Sequence, residues 1–414
     1  MRNAVVFSIL DQALLSAFNL LLSLAFIGFA TPSEFGRFAF VQAGGFFVTS
    51  AQNALVVMPL NYLLPGRPPE EADERLSMLT SVNLALTAAV LPVGFGLGAV
   101  VGADTTFLLA ILAYFAVVTI RDYARNTLVV KGEIHRTLIF DVVAVAVASL
   151  LAAGLWRLIR PEAAVLAALA GGNLVSHLVC RVEAKTDLRR FPAHLAAYRR
   201  IWRDTRWALQ GALQNEVAVR GWVFLVERMR DTASLGILNA GRVAVSPLPL
   251  IAAAWARVAR PRLVAELHRG RPDRVRRLLW TGVGVVLGVS LLYGLALIAA
   301  WPWVEDLARR RHYGEMGTIV AAWWLQALAV GLTSVLSAHM EAQRRFRALA
   351  VISFLGGASA LLLVFLLLRA GGAIGTAVFA LAGVGIAEFV ALAVLTRRGA
   401  VGGSQPAVDA EGPR

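Results

Sequence analysis

The chain has 414 residues, 58% of them hydrophobic and only 16% charged, with a formal charge of +14. A soluble protein of this length carries about 25% charged residues; here the apolar excess falls in runs of about 18 or more, which excludes one large soluble core and points to many membrane spans. The basic residues stand between these runs rather than in a basic domain, which argues against nucleic acid and for contact with anionic membrane lipids, and the single cysteine, Cys180, excludes an internal disulfide and a cysteine-based metal site.

Twelve spans are predicted, at 8–30, 38–64, 76–101, 105–129, 137–155, 162–180, 207–227, 232–256, 278–300, 318–340, 348–368 and 374–396. The expected fold class is all-α and polytopic, with about twelve transmembrane helices in two six-helix bundles. The expected divisions are a first bundle at 1–180, a basic cytoplasmic linker at 181–206, a second bundle at 207–396 and a disordered cytoplasmic tail at 397–414. The opening MRNAVVFSILDQALL enters an apolar run at once, and no small-residue cleavage site follows, so it reads as an uncleaved first span. Residues 193–206 suit a short amphipathic helix on the membrane surface, with Leu195, Tyr198 and Trp202 on one side. Pro59, Pro92, Pro247 and Pro249 are expected to bend their spans. Loop arginines and lysines divide 27 to 9 between the two sides, which places both termini in the cytoplasm.

Spans seven and eight break the apolar pattern. Span seven, WALQGALQNEVAVRGWVFLVE, carries Gln210, Gln214, Asn215, Glu216 and Arg220; span eight carries Asn239 and Arg242. A charge at mid-membrane costs roughly 2.5–3.5 kcal/mol on insertion scales and usually faces a wet cavity or a partner. Arg220 lies ~20 Å from the inner start of its span, and Arg242 lies ~14 Å from the outer start of its own. Two such neighbours imply a cationic, hydrated interior that opens to each side in turn. Glu216 and Arg220 share a helical face, so the pair either locks the bundle or offers Arg220 to a substrate; Arg242 has no acid at helical spacing. Arg121 and Arg125 share a face of span four, where they either snorkel to headgroups or line a cytoplasmic vestibule. Scattered polar residues such as Gln52 and Asn83 are expected to bridge helices at ~0.6 kcal/mol each. Asp11, Asp141 and Glu388 are the candidate ion-coupling carboxylates. Asp141 sits near a span end and reads as interfacial, which leaves Glu388 and Asp11.

The halves look alike. VKGEIHRTL and EAQRRFRAL each lie between the fourth and fifth spans of their half, as expected for a parallel repeat with a cavity between its copies. The opening segment, with Asp11-Gln12, Ser16, Asn19 and the turn Thr31-Pro32-Ser33-Glu34-Phe35-Gly36, resembles bacterial polysaccharide exporters of the Wzx flippase type. These belong to the multidrug/oligosaccharidyl-lipid/polysaccharide (MOP) superfamily, which also includes MATE transporters. The resemblance implies a V-shaped pair of bundles in the inner membrane that moves a polyprenyl-diphosphate-linked oligosaccharide to the periplasmic leaflet. It also implies a polysaccharide polymerase and glycosyltransferases as partners. Arginine suits the diphosphate, because its planar fork binds phosphate oxygens bidentately and keeps its charge. Two other readings stay open: a cation-coupled drug or metabolite exporter of the same superfamily, and a membrane glycan polymerase or ligase. The sequence holds no Walker-type loop, no His-Glu-x-x-His and no Gly-x-Ser-x-Gly, so neither an enzyme nor a cofactor or metal is expected.

Overall fold

The computed structural model describes residues 2–180, 188–314 and 316–401. These residues form fourteen α-helices and no strand. The helices before residue 181 are α1 (Arg2–Phe29), α2 (Pro32–Gln52), α3 (Met58–Leu63), α4 (Pro69–Val100), α5 (Thr105–Val130), α6 (Ile134–Leu155) and α7 (Pro161–Cys180). After it come α8 (Phe191–Met229), α9 (Thr232–Ala244), α10 (Leu248–His268), α11 (Pro272–Arg310), α12 (Met316–Ala342), α13 (Phe346–Arg369) and α14 (Ile374–Val401). The predicted spans one to six and nine to twelve fall on ten helical stretches long and apolar enough to cross a bilayer, with α2 and α3 joined as one. The eighth predicted span is the bent pair α9 and α10, which turn by 49°. Pro247 stands at the break as the N-cap of α10, where its ring and missing N–H interrupt the helical ladder. The seventh falls on α8, whose 39 residues reach about 58 Å but which is not among the stretches apolar enough to cross a bilayer.

Local chemistry sets the helix starts. Thr31 accepts from the backbone N–H of Glu34 while the Glu34 carboxylate accepts from the N–H of Thr31, a reciprocal cap at the head of α2. Asp104 accepts from the Phe107 N–H at 2.8 Å and starts α5. A five-residue π-helical stretch, Asn53–Val57, separates α2 from α3 just before Pro59. Proline has no N–H, so the Leu55 carbonyl four residues earlier loses its helical donor. The Tyr198 hydroxyl from α8 supplies one, at 2.5 Å.

That bond is part of a difference from the expected surface helix at 193–206. Instead, α8 begins at Phe191 and runs unbroken into the seventh span; residues 181–187 of the expected linker lie outside the described residues. The helix also presents a different face from the one expected. His194, Tyr198 and Thr205 are buried, whereas Leu195 and Trp202 are exposed. His194 Nδ1 lies 2.8 Å from the Ser81 hydroxyl of α4, and Tyr198 joins the apolar cluster of Val56, Leu60, Leu76 and Leu79. Polar side chains dock here because the π-helical stretch and α4 offer them hydrogen-bond partners. Of the expected tail, residues 397–401 continue α14 and the remainder lies outside the described residues.

By packing, the chain divides into two compact units. The first is Met1–Val243 with Asp306–Met316; the second is Ala244–Glu305 with Gly317–Arg414. Thus α8 and α9 pack within the first unit. In that unit Gln52 of α2 donates to Asn83 Oδ1 of α4 at 2.7 Å and to the Thr119 carbonyl of α5 at 2.5 Å, the helix-bridging role expected of it. The core of the second unit is apolar, with Ala252, Ala256, Ala259 and Leu263 of α10 against Val275, Leu279, Val283 and Val286 of α11.

The two repeat turns match bond for bond. In the first, the N–H groups of Gly132 and Glu133 donate to the carbonyls of Val129 and Leu128; in the second, those of Arg344 and Arg345 donate to Glu341 and Met340. The N-cap residues have nearly the same backbone angles, φ −84° and ψ 51° at Glu133 against φ −84° and ψ 46° at Arg345. Each turn also ties back to the following hairpin: Arg136 donates to the Cys180 carbonyl at 2.7 Å, and Arg345 to that of Leu395 at 3.3 Å.

Candidate functional site

Two charged constellations lie among the helices of the first unit. The first is built on α2, α8 and α9. Glu216 and Arg220, one turn apart on α8, form an ion pair. Ser50 of α2 donates to the other Glu216 oxygen at 2.8 Å. The Arg220 guanidinium lies over the ring of Phe46, 3.8 Å from its centroid. Ser50 and Phe46 are themselves four apart on α2, so one face of that helix meets one face of α8. Arg242 of α9 is half-buried and has no ion-pair partner among the described residues; its charged neighbour is Arg220. Asn239, one turn before Arg242, is buried. Two guanidiniums against one carboxylate leave this site with an excess positive charge.

The second constellation joins α1, α5 and α6. Arg121 and Arg125 neither snorkel nor stand free. Both bind Asp141 of α6, Arg121 through one carboxylate oxygen and Arg125 Nε through the other at 2.7 Å. Arg121 also binds Asp122 at 2.9 Å, and Arg125 also binds Asp11 of α1. Asp141, expected at the interface, is wholly buried at the centre of the network. The reason is pairing: a carboxylate held by two guanidiniums recovers inside the protein what it loses in hydration. Asp11 lies beside Asp141, and its Oδ1 is buried without a hydrogen-bond partner. Three aspartates against two arginines leave one negative charge in excess, which a single proton would neutralise.

Other candidates stand apart from both sites. Glu388 of α14, in the second unit, lies against Gly356 of α13, where an added Cβ would collide with its carboxylate, and it has no ion-pair partner among the described residues. Ser50, Phe46, Asp122 and the central place of Asp141 were not singled out as site features from the sequence. The one available signal was the i, i+4 spacing of Phe46 and Ser50, which is common in any helix.

The heads of α2 and α9 touch backbone to backbone. A Cβ on Gly36 would strike the Thr232 carbonyl, and a Cβ on Gly236 would strike that of Pro32. The Ser33 and Thr232 hydroxyls lie 3.0 Å apart beside this crossing. Only glycine permits such an approach, the small-residue packing typical of membrane helices. The close crossing holds the start of α9 against α2, on the helix that carries Arg242.

No family model and no curated protein matches the chain. Solved structures do. One is a multidrug resistance MATE family transporter of the MOP superfamily in an inward-facing conformation, 14% identical over 95% of this chain and 97% of its own, with a TM-score of 0.67. A second is the lipid II flippase MurJ in an inward closed conformation, 12% identical over 96% of this chain and 88% of its own, with a TM-score of 0.71. A third is a MOP superfamily transporter from Pyrococcus furiosus, whose reversed binding-pocket polarity suggests a different function for it. That one is 12% identical over 95% of this chain and 94% of its own, with a TM-score of 0.55. Likeness at these identities establishes the fold. The chain is an all-α, multi-pass integral membrane protein with the fold of MOP-superfamily transporters such as MATE and MurJ.

Proposed function

We propose that this protein is a flippase that moves a polyprenyl-diphosphate-linked oligosaccharide from the cytoplasmic to the periplasmic leaflet of a bacterial inner membrane by alternating access. One observation carries the reading: Arg242 of α9, without an acid partner among the described residues, beside Arg220 of α8 in the first unit. A lipid tail stays in the bilayer during transfer, whereas a diphosphate needs positive charge along its route. Arg242 offers a free planar fork, and Arg220 offers a second one now held by Glu216. On arrival the diphosphate displaces Glu216 from Arg220, and the carboxylate keeps its bond to Ser50. When the substrate leaves, Glu216 takes Arg220 back, so the site is never left with two bare guanidiniums. Arg121 and Arg125 serve as the scaffold of the aspartate network. The fold shared with a lipid II flippase agrees with this reading.

The test is transfer of a lipid-linked glycan across vesicles bearing the purified protein. Arg242→Ala and Arg220→Ala are expected to abolish transfer while the protein still reaches the membrane, and Arg242→Lys to keep part of it. Wild-type transfer in both alanine variants would overturn the proposal.

A second reading, a cation-coupled exporter of small molecules, is favoured by the aspartate network and its single excess negative charge. Asp11 would take the coupling proton, with Glu388 a second carboxyl of the same kind. Dye efflux driven by a proton gradient, lost in Asp11→Asn and intact in Arg242→Ala, would establish this reading over the first.

A further inference from the structure

We infer that the turn between α12 and α13, in the second unit, is a binding site for the phosphate headgroup of an anionic phospholipid, separate from the arginines of the first unit. A hollow of about 520 Å³ opens there, lined by Arg344, Arg345 and Arg347 together with Ala348, Val351, Ile352 and Leu395. The lining thus combines three arginines with an apolar surface, of which Ala348, Ile352 and Leu395 pack against the core cluster of Leu336, Met340 and Leu392.

None of the three arginines forms an ion pair among the described residues. The acid nearest in sequence, Glu341, is taken by Arg260 of α10 at 2.9 Å. The hollow also sits at the start of α13, where Arg345 is the N-cap residue and provides no side-chain cap. The first N–H groups of that helix therefore point outward at its positive end. No acidic side chain lines the hollow, and the Leu395 carbonyl beside it is already met by Arg345 at 3.3 Å.

The first repeat turn supplies an internal comparison. Its backbone is the same, but its charge is largely neutralised: Glu133 holds Arg136, and Gly132 occupies the left-handed position with φ +78°. In the second turn an arginine stands at each of these two places, Arg345 for the acid and Arg344 for the glycine. Arg344 has φ +57°, a conformation costly to any residue except glycine. The equivalent left-handed turn positions at Gly102, Gly132, Gly270 and Gly371 are glycine, and among the described residues only His312 shares the exception. A strained backbone and a concentrated, unneutralised charge are both disfavoured in this turn. A bound anion offsets both.

The apolar wall decides which anion. A free phosphate gains nothing from Val351, Ile352 and Leu395, whereas a phospholipid lays its acyl chain along them while its phosphate meets the arginines. The turn joins two membrane spans, so it lies at the level of the headgroups.

The test uses the full-length protein in detergent, with a short-chain phosphatidylglycerol as probe and native mass spectrometry as readout. Wild type is expected to retain one phosphatidylglycerol that phosphatidylcholine does not replace. The triple variant Arg344→Gln/Arg345→Gln/Arg347→Gln is expected to bind it at least tenfold more weakly. A control triple variant, Arg274→Gln/Arg276→Gln/Arg277→Gln, removes the same charge from the exposed start of α11 and is expected to bind as wild type does. Arg344→Gly alone relieves the left-handed strain, so it is expected to melt no lower than wild type yet to bind severalfold more weakly, which separates lost binding from lost folding. Equal binding by the first triple variant and wild type would overturn the inference. So would equal losses in the two triple variants, and so would displacement of the lipid by inorganic phosphate as readily as by the short-chain lipid.

Discussion

Replacing Asp141 with alanine removes the one carboxylate that both Arg121 and Arg125 hold. Arg121 keeps Asp122 and Arg125 keeps Asp11, so neither cation is wholly abandoned. Two charge-assisted bonds are lost, each contributing about 1.5–3 kcal/mol. Breaking a buried ion pair from one side costs about 3–5 kcal/mol, in line with that sum. The expected loss of stability is therefore about 3–5 kcal/mol. Asp11→Asn removes the charge from one such bond and should cost about half as much. Unfolding of the purified protein in mixed micelles by a denaturing detergent measures both. Adding Arg121→Ala to Asp141→Ala should recover part of the loss, because it removes a buried cation left short of partners. If Asp141→Ala unfolds within about 0.5 kcal/mol of wild type, as substitutions away from buried networks do, the network is not what holds α6 to α5 and the reasoning fails.

Tyr198→Phe should cost about 1–3 kcal/mol by leaving the Leu55 carbonyl without a donor, and far less in a Pro59→Ala background that restores the helical N–H; equal costs in the two backgrounds would sink this account. Ser33→Cys paired with Thr232→Cys should cross-link under mild oxidation, since the native hydroxyls are 3.0 Å apart, and should stop transport until a reductant is added. A cross-linked protein that transports at the wild-type rate would show that the α2–α9 crossing never opens. Glu216→Gln should free Arg220 and tighten binding of pyrophosphate about fivefold, with a steeper salt dependence; unchanged binding would mean that Arg220 does not meet the anion.

Much of the architecture is written in one dimension. Apolar runs of bilayer length produce α-helices whatever surrounds them, because a backbone in lipid must satisfy its own hydrogen bonds. Thus the ten apolar spans, the proline break at Pro247 and the cap at Thr31 follow from local sequence, and so does the Glu216–Arg220 pair, since residues four apart along a helix meet. The matched turns at Gly132 and Arg344 were visible as a faint repeat, and their shared backbone confirms it locally. What local sequence could not decide is which charge meets which across helices. Asp11, Arg125 and Asp141 lie far apart in the chain, and only the packing of α1, α5 and α6 brings them together. Asp141 read as interfacial because depth along a span was the only coordinate at hand, whereas its environment depends on the angle it presents to neighbouring helices. The same holds for Tyr198, whose partner is a carbonyl orphaned by a proline on another helix, and for Ser50 and Phe46, which became part of a site only when α2 met α8. Sequence fixes what each helix carries; the third dimension decides what each charge can reach, because the energy of a buried ion depends on partners within a few ångströms and hardly at all on its place in the chain.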